Sequence, residues 1–241
     1  MIALAQETRP ADTWQPPSIS QLNRRLETKS AEEILRWSIE NFGDGFSMGT
    51  AFGASGMALM DMALRINPDI DIFYIDTDYF FPESLALIER SQRHYGRPFR
   101  RVASDVSVAE QERTYGLKLY SNDPDKCCHI RKVVPMGEAL KGSTAWVSAL
   151  RRDQSPTRAG TPVLRWNEKY GVVKVSPLVH WSEADVWDYI HEHNVPYNEL
   201  HERNYPSIGC WPCTQPVQPG DDLRAGRWVG LTKLECGLHQ A

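Results

Sequence analysis

Residues 45–66, GFSMGTAFGASGMALMDMALRI, decide the fold. A short apolar run, a turn of small residues and a helix-spaced apolar segment follow one another without a break. That order reads as strand, tight turn and helix. The pattern repeats at 69–96: DIDIFYID is a β-rich run bounded by turn residues, and FPESLALIERSQRHYG after it has helical spacing. PFRRVAS, STAWVSAL and GVVKVSPLV read as further strands, HIRKVVPMGEAL as a helix, and WSEADVWDYIHEHN as a helix opened by Ser182 three residues before Asp185, an acidic capping box. Upstream, residues 18–43 carry apolar residues at helical spacing, enough for one or two helices. Strands alternating with helices predict an α/β fold, a mostly parallel sheet flanked by helices on both faces. From Pro196 the Pro- and Gly-rich chain predicts loop.

The 241 residues suffice for one such domain, and 41% apolar and 24% charged residues exclude a disordered or collagen-like chain. A net charge of −4 gives no global reason to bind nucleic acid. No apolar run approaches a membrane span, and the N-terminus lacks a long hydrophobic stretch of signal-peptide type, so the expected compartment is the cytoplasm, without membrane association.

In an open parallel sheet the turns after the strands carry the chemistry. TAFGASG, with Thr50, Phe52 and Gly53, lacks both GK[ST] and GxGxxG; it is either a packing turn or a cradle whose N–H groups meet an anion. Asp76 and Thr77 end the second strand, where a base or ribose is read or a helix is capped. SALRRDQSPTRAG gathers Arg151, Arg152 and Arg158, a solvated basic loop or a phosphate and sulfate fork. Arg224 and Arg227 form a further basic group.

The five cysteines are odd in number, which argues against a disulfide framework. Cys127 and Cys128 are adjacent, and Cys210 and Cys213 form CWPC. The CxxC admits a redox dithiol or a metal knuckle; two close pairs suit zinc or an iron-sulfur cluster, and adjacent ligands favour the cluster, whose iron atoms offer each thiolate its own site. Cys236 is either a structural thiol or, with cations nearby in sequence, a nucleophile.

The paired CC and CxxC, the CCHIRK context, LRRDQSPTR and GRWVGLTKLECGLH together resemble the iron-sulfur branch of the phosphoadenylyl-sulfate reductase family, the assimilatory adenosine 5'-phosphosulfate (APS) reductases, from about Phe46 to His239. The resemblance implies a nucleotide α-hydrolase-like (Rossmann-like) fold with a mobile C-terminal tail: a flexible leader over 1–17, a nucleotide-binding and cluster domain over 18–213, and a tail over 214–241. It implies one [4Fe-4S] cluster on Cys127, Cys128, Cys210 and Cys213. Cys236 would attack APS, giving AMP and an S-sulfocysteine, from which thioredoxin or a glutaredoxin-like reductant releases sulfite. Lys132, Arg151, Arg152, Arg158, Arg224, Arg227 and His239 would bind the phosphosulfate. Departures from the family pattern, Asp78 and Gly56 among them, bear on the choice between APS and its 3'-phosphorylated form. A homo-oligomer is left open. Competing readings are a reductase of the 3'-phosphorylated or of both substrates, a tRNA-thiolating ATP pyrophosphatase, disfavoured by the absence of SGGxDS, and an iron-sulfur redox sensor, disfavoured by the absence of a basic recognition helix.

Overall fold

The computed structural model describes residues 16–238. Six strands form one sheet in the order β3-β2-β1-β4-β6-β5: β1 Phe46–Gly49, β2 Asp71–Asp76, β3 Arg100–Ala103, β4 Ala145–Val147, β5 Leu164–Asn167 and β6 Val172–Val175. All neighbours pair in parallel except β5 on β6. The chain winds from β1 outward to β3, then returns to β1's other side as β4. The order therefore reverses between β1 and β4, and the crevice beyond their carboxyl ends is where such sheets bind ligands.

Strand alternation sorts the side chains onto two faces. Met48, Ile72, Ala145, Val147, Val173 and Val175 enter the larger core, with Ile34 and Leu35 of α2 (Ala31–Phe42) and Met57 and Met60 of α3 (Ala54–Ile66). Val186 and Ile190 of α9 (Glu183–Glu192) close that layer. Phe73, Trp146 and Val172 point the other way, onto Met136 and Ala139 of α8 (Val134–Ala139). Helices therefore cover both faces, as the strand and helix alternation predicts. Ser182 and Asp185 make the reciprocal bonds of a capping box.

The region 18–43 forms two helices, α1 (Pro16–Leu26) and α2. Residues 1–15 of the expected leader lie outside the described residues, while Pro16 and Pro17 open α1. The Asn23 amide donates to the Leu164 carbonyl and accepts from the Leu164 N–H, both at 2.7 Å, and so pins α1 to the edge strand. That antiparallel strand has no counterpart in the sequence reading. Three further helices were also not anticipated: α5 (Val108–Tyr115), α6 (Leu119–Asn122) and α7 (Pro124–Cys128); α4 (Pro82–Tyr95) was. The helix expected over 129–140 opens as a π-turn, His129–Val133, before α8. Pro135 has no N–H to offer the Arg131 carbonyl, so the frame widens just ahead of it. Among the described residues no helix is long and apolar enough to cross a membrane.

Candidate active site

A cleft of about 270 Å³ opens at the switch point. Its floor is the turn after β1, with Thr50 and the α3 N-terminus at Gly53–Gly56; Ile75 of β2, Thr77 just past its end and Ser148 just past the end of β4 also line it. Lys132 enters from the π-turn. The chain beyond residue 213 folds back over the opening: Thr214 bridges Arg227, and Arg224, Arg227, Glu235 and Cys236 complete the wall. Cys236 thus reaches the cleft from almost two hundred residues beyond its floor.

The cleft is crowded with cations. Burial, then the nearby Arg158 guanidinium, press Arg224 down to about 10. Glu235 answers both: its carboxylate accepts from Arg158 at 2.8–2.9 Å and from Arg224 at 3.2 Å. Burial alone would raise that carboxyl, but the Arg158 bond and the two positive charges hold it below its ordinary value. Burial also works against the Cys236 thiolate; Lys132, the Leu238 N–H and Arg227 outweigh it, and the thiol is held below its ordinary value. Lys132 is stabilised in return: burial opposes its charge, yet the thiols of Cys210, Cys236 and Cys128 keep it above the usual lysine range.

The other four cysteines behave differently. Cys127, Cys128, Cys210 and Cys213 line one narrow hollow with Tyr79, Tyr120, Arg131 and Lys132. Burial, then the neighbouring thiols, push Cys127 up to about 12; burial, then Cys210, push Cys213 up to about 11. All five cysteines are free thiols. Among the described residues no three cysteine, histidine or carboxylate side chains close tightly on a point, as a single metal ion would require.

A thiol held below its ordinary value, a cationic cleft and a four-thiol hollow thus lie side by side. Residues 45–216 match the family described as phosphoadenosine phosphosulfate reductase domain. The chain belongs to that family. Two relatives named adenosine 5'-phosphosulfate reductase are similar over nearly their whole length. That of Staphylococcus haemolyticus is 46% identical over 93% of each chain. That of Halalkalibacterium halodurans is 42% identical over 92% of this chain and 97% of its own. Among solved structures, the phosphoadenylyl-sulfate reductase of Candida auris, a phosphate complex, superposes with a TM-score of 0.74 at 31% identity, covering 85% of this chain and 98% of that one. An FMN adenylyltransferase of Candida glabrata shares the fold at 17% identity, with a TM-score of 0.56 over 88% of this chain and 67% of that one.

In this reductase-family chain the cleft gathers Thr50, Gly53, Thr77, Lys132, Arg151, Arg158, Arg224, Arg227 and Cys236, and three expected residues do not line it. Phe52 turns its ring into the core against Tyr74 and Phe99 and is 1% exposed; its N–H bonds the Thr50 hydroxyl. Asp76 faces Arg101 at 2.7 Å and accepts the Asp78 N–H. Arg152 forks onto Glu27 of the α1 connection and the Thr161 carbonyl, tying loops together behind the cleft. Arg151 lines the cleft, but its guanidinium is committed to Asp153, Glu183 and Ser55. His239 lies outside the described residues.

The sequence reading missed Ser148, Glu183, His201 and Glu235. The Ser148 hydroxyl is buried and lacks a partner among the described residues, and the His201 ring nitrogens are buried in the cleft lining. Glu235 had a signal, an acid directly before the cysteine in a basic tail. Gly209 adjoins Cys210, and the Arg227 guanidinium lies where a Cβ at 209 would stand.

Proposed function

We propose that the chain reduces APS to sulfite and AMP in assimilatory sulfate reduction, using Cys236 as nucleophile and a thioredoxin or glutaredoxin-like dithiol as reductant. The observation that carries this reading is Cys236 held below its ordinary pKa in the same cleft as Lys132, Arg158, Arg224 and Arg227. The named relatives support it.

The cations offer the phosphosulfate a charge-matched seat, and Lys132 with Arg227 keeps the thiol ionised beside it. The Cys236 thiolate attacks the sulfonyl sulfur; the S–O bond to the phosphate breaks, its electron pair leaves with AMP, and Cys236 carries an SO3 group. Aligning a thiolate with sulfur and neutralising charge is what this cleft can supply. A reductant thiolate then attacks the Cys236 sulfur, releasing sulfite and forming a mixed disulfide that its second thiol resolves. On this reading residues 18–213 form the binding body and 214–241 a tail that delivers and withdraws Cys236.

The four thiols of the hollow fit a [4Fe-4S] cluster. They converge from two chain segments between aromatic walls, with Arg131 and Lys132 placed to offset negative charge, and the burial and neighbouring thiols that raise Cys127 would be outweighed once iron is bound. Cys127, Cys128, Cys210 and Cys213 would hold it, and it would supply a fixed electrostatic centre beside Lys132.

The test is sulfite release from APS and from its 3'-phosphorylated form, with thioredoxin, on anaerobically purified protein. The expected outcome is faster turnover of APS, one SO3 adduct on Cys236 by mass spectrometry, and loss of both in Cys236→Ser. Faster turnover of the 3'-phosphorylated form would move the chain to the substrate named for the Candida auris structure. Normal sulfite formation by Cys236→Ser would remove the nucleophile.

A further inference from the structure

Charge is unevenly spread around the cleft. Lys132, Arg158, Arg224 and Arg227 gather about Cys236, with Glu235 as their carboxylate. Gln154 marks where that group stops: its side-chain oxygen accepts from the Arg158 guanidinium at 2.6 Å and from the Arg151 N–H at 3.2 Å. Beyond it the balance reverses. Arg151 is 1% exposed, and its guanidinium is shared among Asp153 at 2.9 Å, Glu183 at 2.5 Å and the Ser55 hydroxyl at the α3 N-terminus. One cation therefore faces two carboxylates.

Of the two, only Glu183 lines the cleft, and its side chain is 31% exposed. The Trp187 indole N–H donates to its other oxygen at 3.0 Å, so the carboxylate is fixed from two sides. His201 stands edge-on to the same indole, and burial holds it below its ordinary value despite the Glu183 charge; it brings no second cation near neutral pH. Joining α9 to the α3 turn needs one carboxylate on Arg151. The second leaves excess negative charge on the wall of a cleft otherwise built to collect anions. A ligand anionic at one end and uncharged at the other fits that division. The phosphosulfate belongs with the four cations and its sulfur with Cys236, which leaves the nucleoside for the Glu183 end.

We propose that Glu183 is the specificity-determining residue of the cleft: its carboxylate accepts a hydrogen bond from a ribose hydroxyl and repels a phosphate attached in that place. Asp153, behind Arg151, is a positioning residue that keeps the guanidinium occupied and so unable to serve such a phosphate. This role deepens the APS reading and rests on it.

The test is isothermal titration of AMP and of adenosine 3',5'-bisphosphate, neither of which can turn over, into anaerobically purified parent, Glu183→Gln and Asp153→Asn proteins. The parent should bind AMP at least about 10-fold more tightly, the scale of a like charge brought against a fixed carboxylate. Glu183→Gln keeps the shape and drops the charge; it should cut that preference about 10-fold, chiefly through tighter bisphosphate binding. Asp153→Asn should move the preference the same way by less. Bisphosphate binding to the parent as tightly as AMP, or a preference unchanged in both variants, would overturn the role of Glu183 and leave the proposed function standing. Equal weakening of both nucleotides would also overturn it, reducing Glu183 to a tether. If neither nucleotide binds the parent, the APS reading fails and the filter with it. Should Glu183→Gln not fold, Asp153→Asn decides.

Discussion

Burial alone does not distinguish Cys236 from the other cysteines; the charges around it do. Lys132 and Arg227 outweigh its desolvation, whereas Cys127 and Cys213 face mainly other thiols. In metal-free protein, iodoacetamide should therefore modify Cys236 first, with half-maximal labelling below the ordinary thiol range. Arg227→Gln should move that midpoint to higher pH, because a positive charge is lost beside the thiolate. Peptide mass spectrometry against pH reads it, and prior labelling of Cys127 or Cys213 would contradict it. At this scale residue type was legible and direction was not. Arg151, Arg152 and Arg158 look alike in sequence, yet one is locked under the cleft, one points away and one faces the tail. Their carboxylate partners, Glu183, Glu27 and Glu235, come from distant segments that no local pattern links to them.

Elements place these residues, and the tail has the least secondary structure to hold it. Its attachments to the body include Glu235 on Arg158, Lys233 on Asp125, the Val217 N–H on the Asn204 carbonyl, the Trp228 N–H on the Cys213 carbonyl and Arg227 on Ser207. The Lys233 side chain is only 5% exposed while seated. Glu235→Gln keeps the shape and removes the charge, so the tail should lift more often and trypsin should cut after Lys233 several-fold faster, followed by mass spectrometry of the released peptide. Unchanged cleavage would mean that the other contacts seat the tail without Glu235. Period-2 and period-3.6 patterns were enough to place β1, β2, α3 and α4. They failed at β5, whose LRWN puts one buried and one half-buried residue on each face and so shows no period, and at His129–Val133, where the wider turn arises from Pro135 rather than from any change of spacing.

The whole molecule stores a cost at Lys174. Burial first, then Arg158 and Arg165, bring its ammonium down to about 7, against partial support from Cys236 and Glu235. A base depressed in the fold binds fewer protons there than in the unfolded chain between its two pKa values. Stability therefore rises with pH from about 7 toward the unfolded lysine value, and the penalty is full below about 7. Lys174→Met should thus melt higher than the parent at about pH 6, by a margin that shrinks toward about pH 10. Thermal denaturation across that range checks it; a constant margin would show that Lys174 does not titrate there. At this scale the parallel sheet and its ligand-bearing end were legible, because parallel strand direction follows from alternation with helices and the site from strand ends. The pairing of Arg165 against Lys174 was not, because it is a register that neither strand states alone.

Gly209 carries a consequence for genetics. It is neither a thiol nor a cation, yet it leaves the space that the Arg227 guanidinium fills, one residue before Cys210. A missense change there would displace an arginine from the anion cleft and disturb the start of CWPC at once. On the proposed reading, its phenotype would mimic loss of the cluster and loss of substrate together. In a screen for sulfur auxotrophy it would score with the active-site alleles, although it removes no functional group.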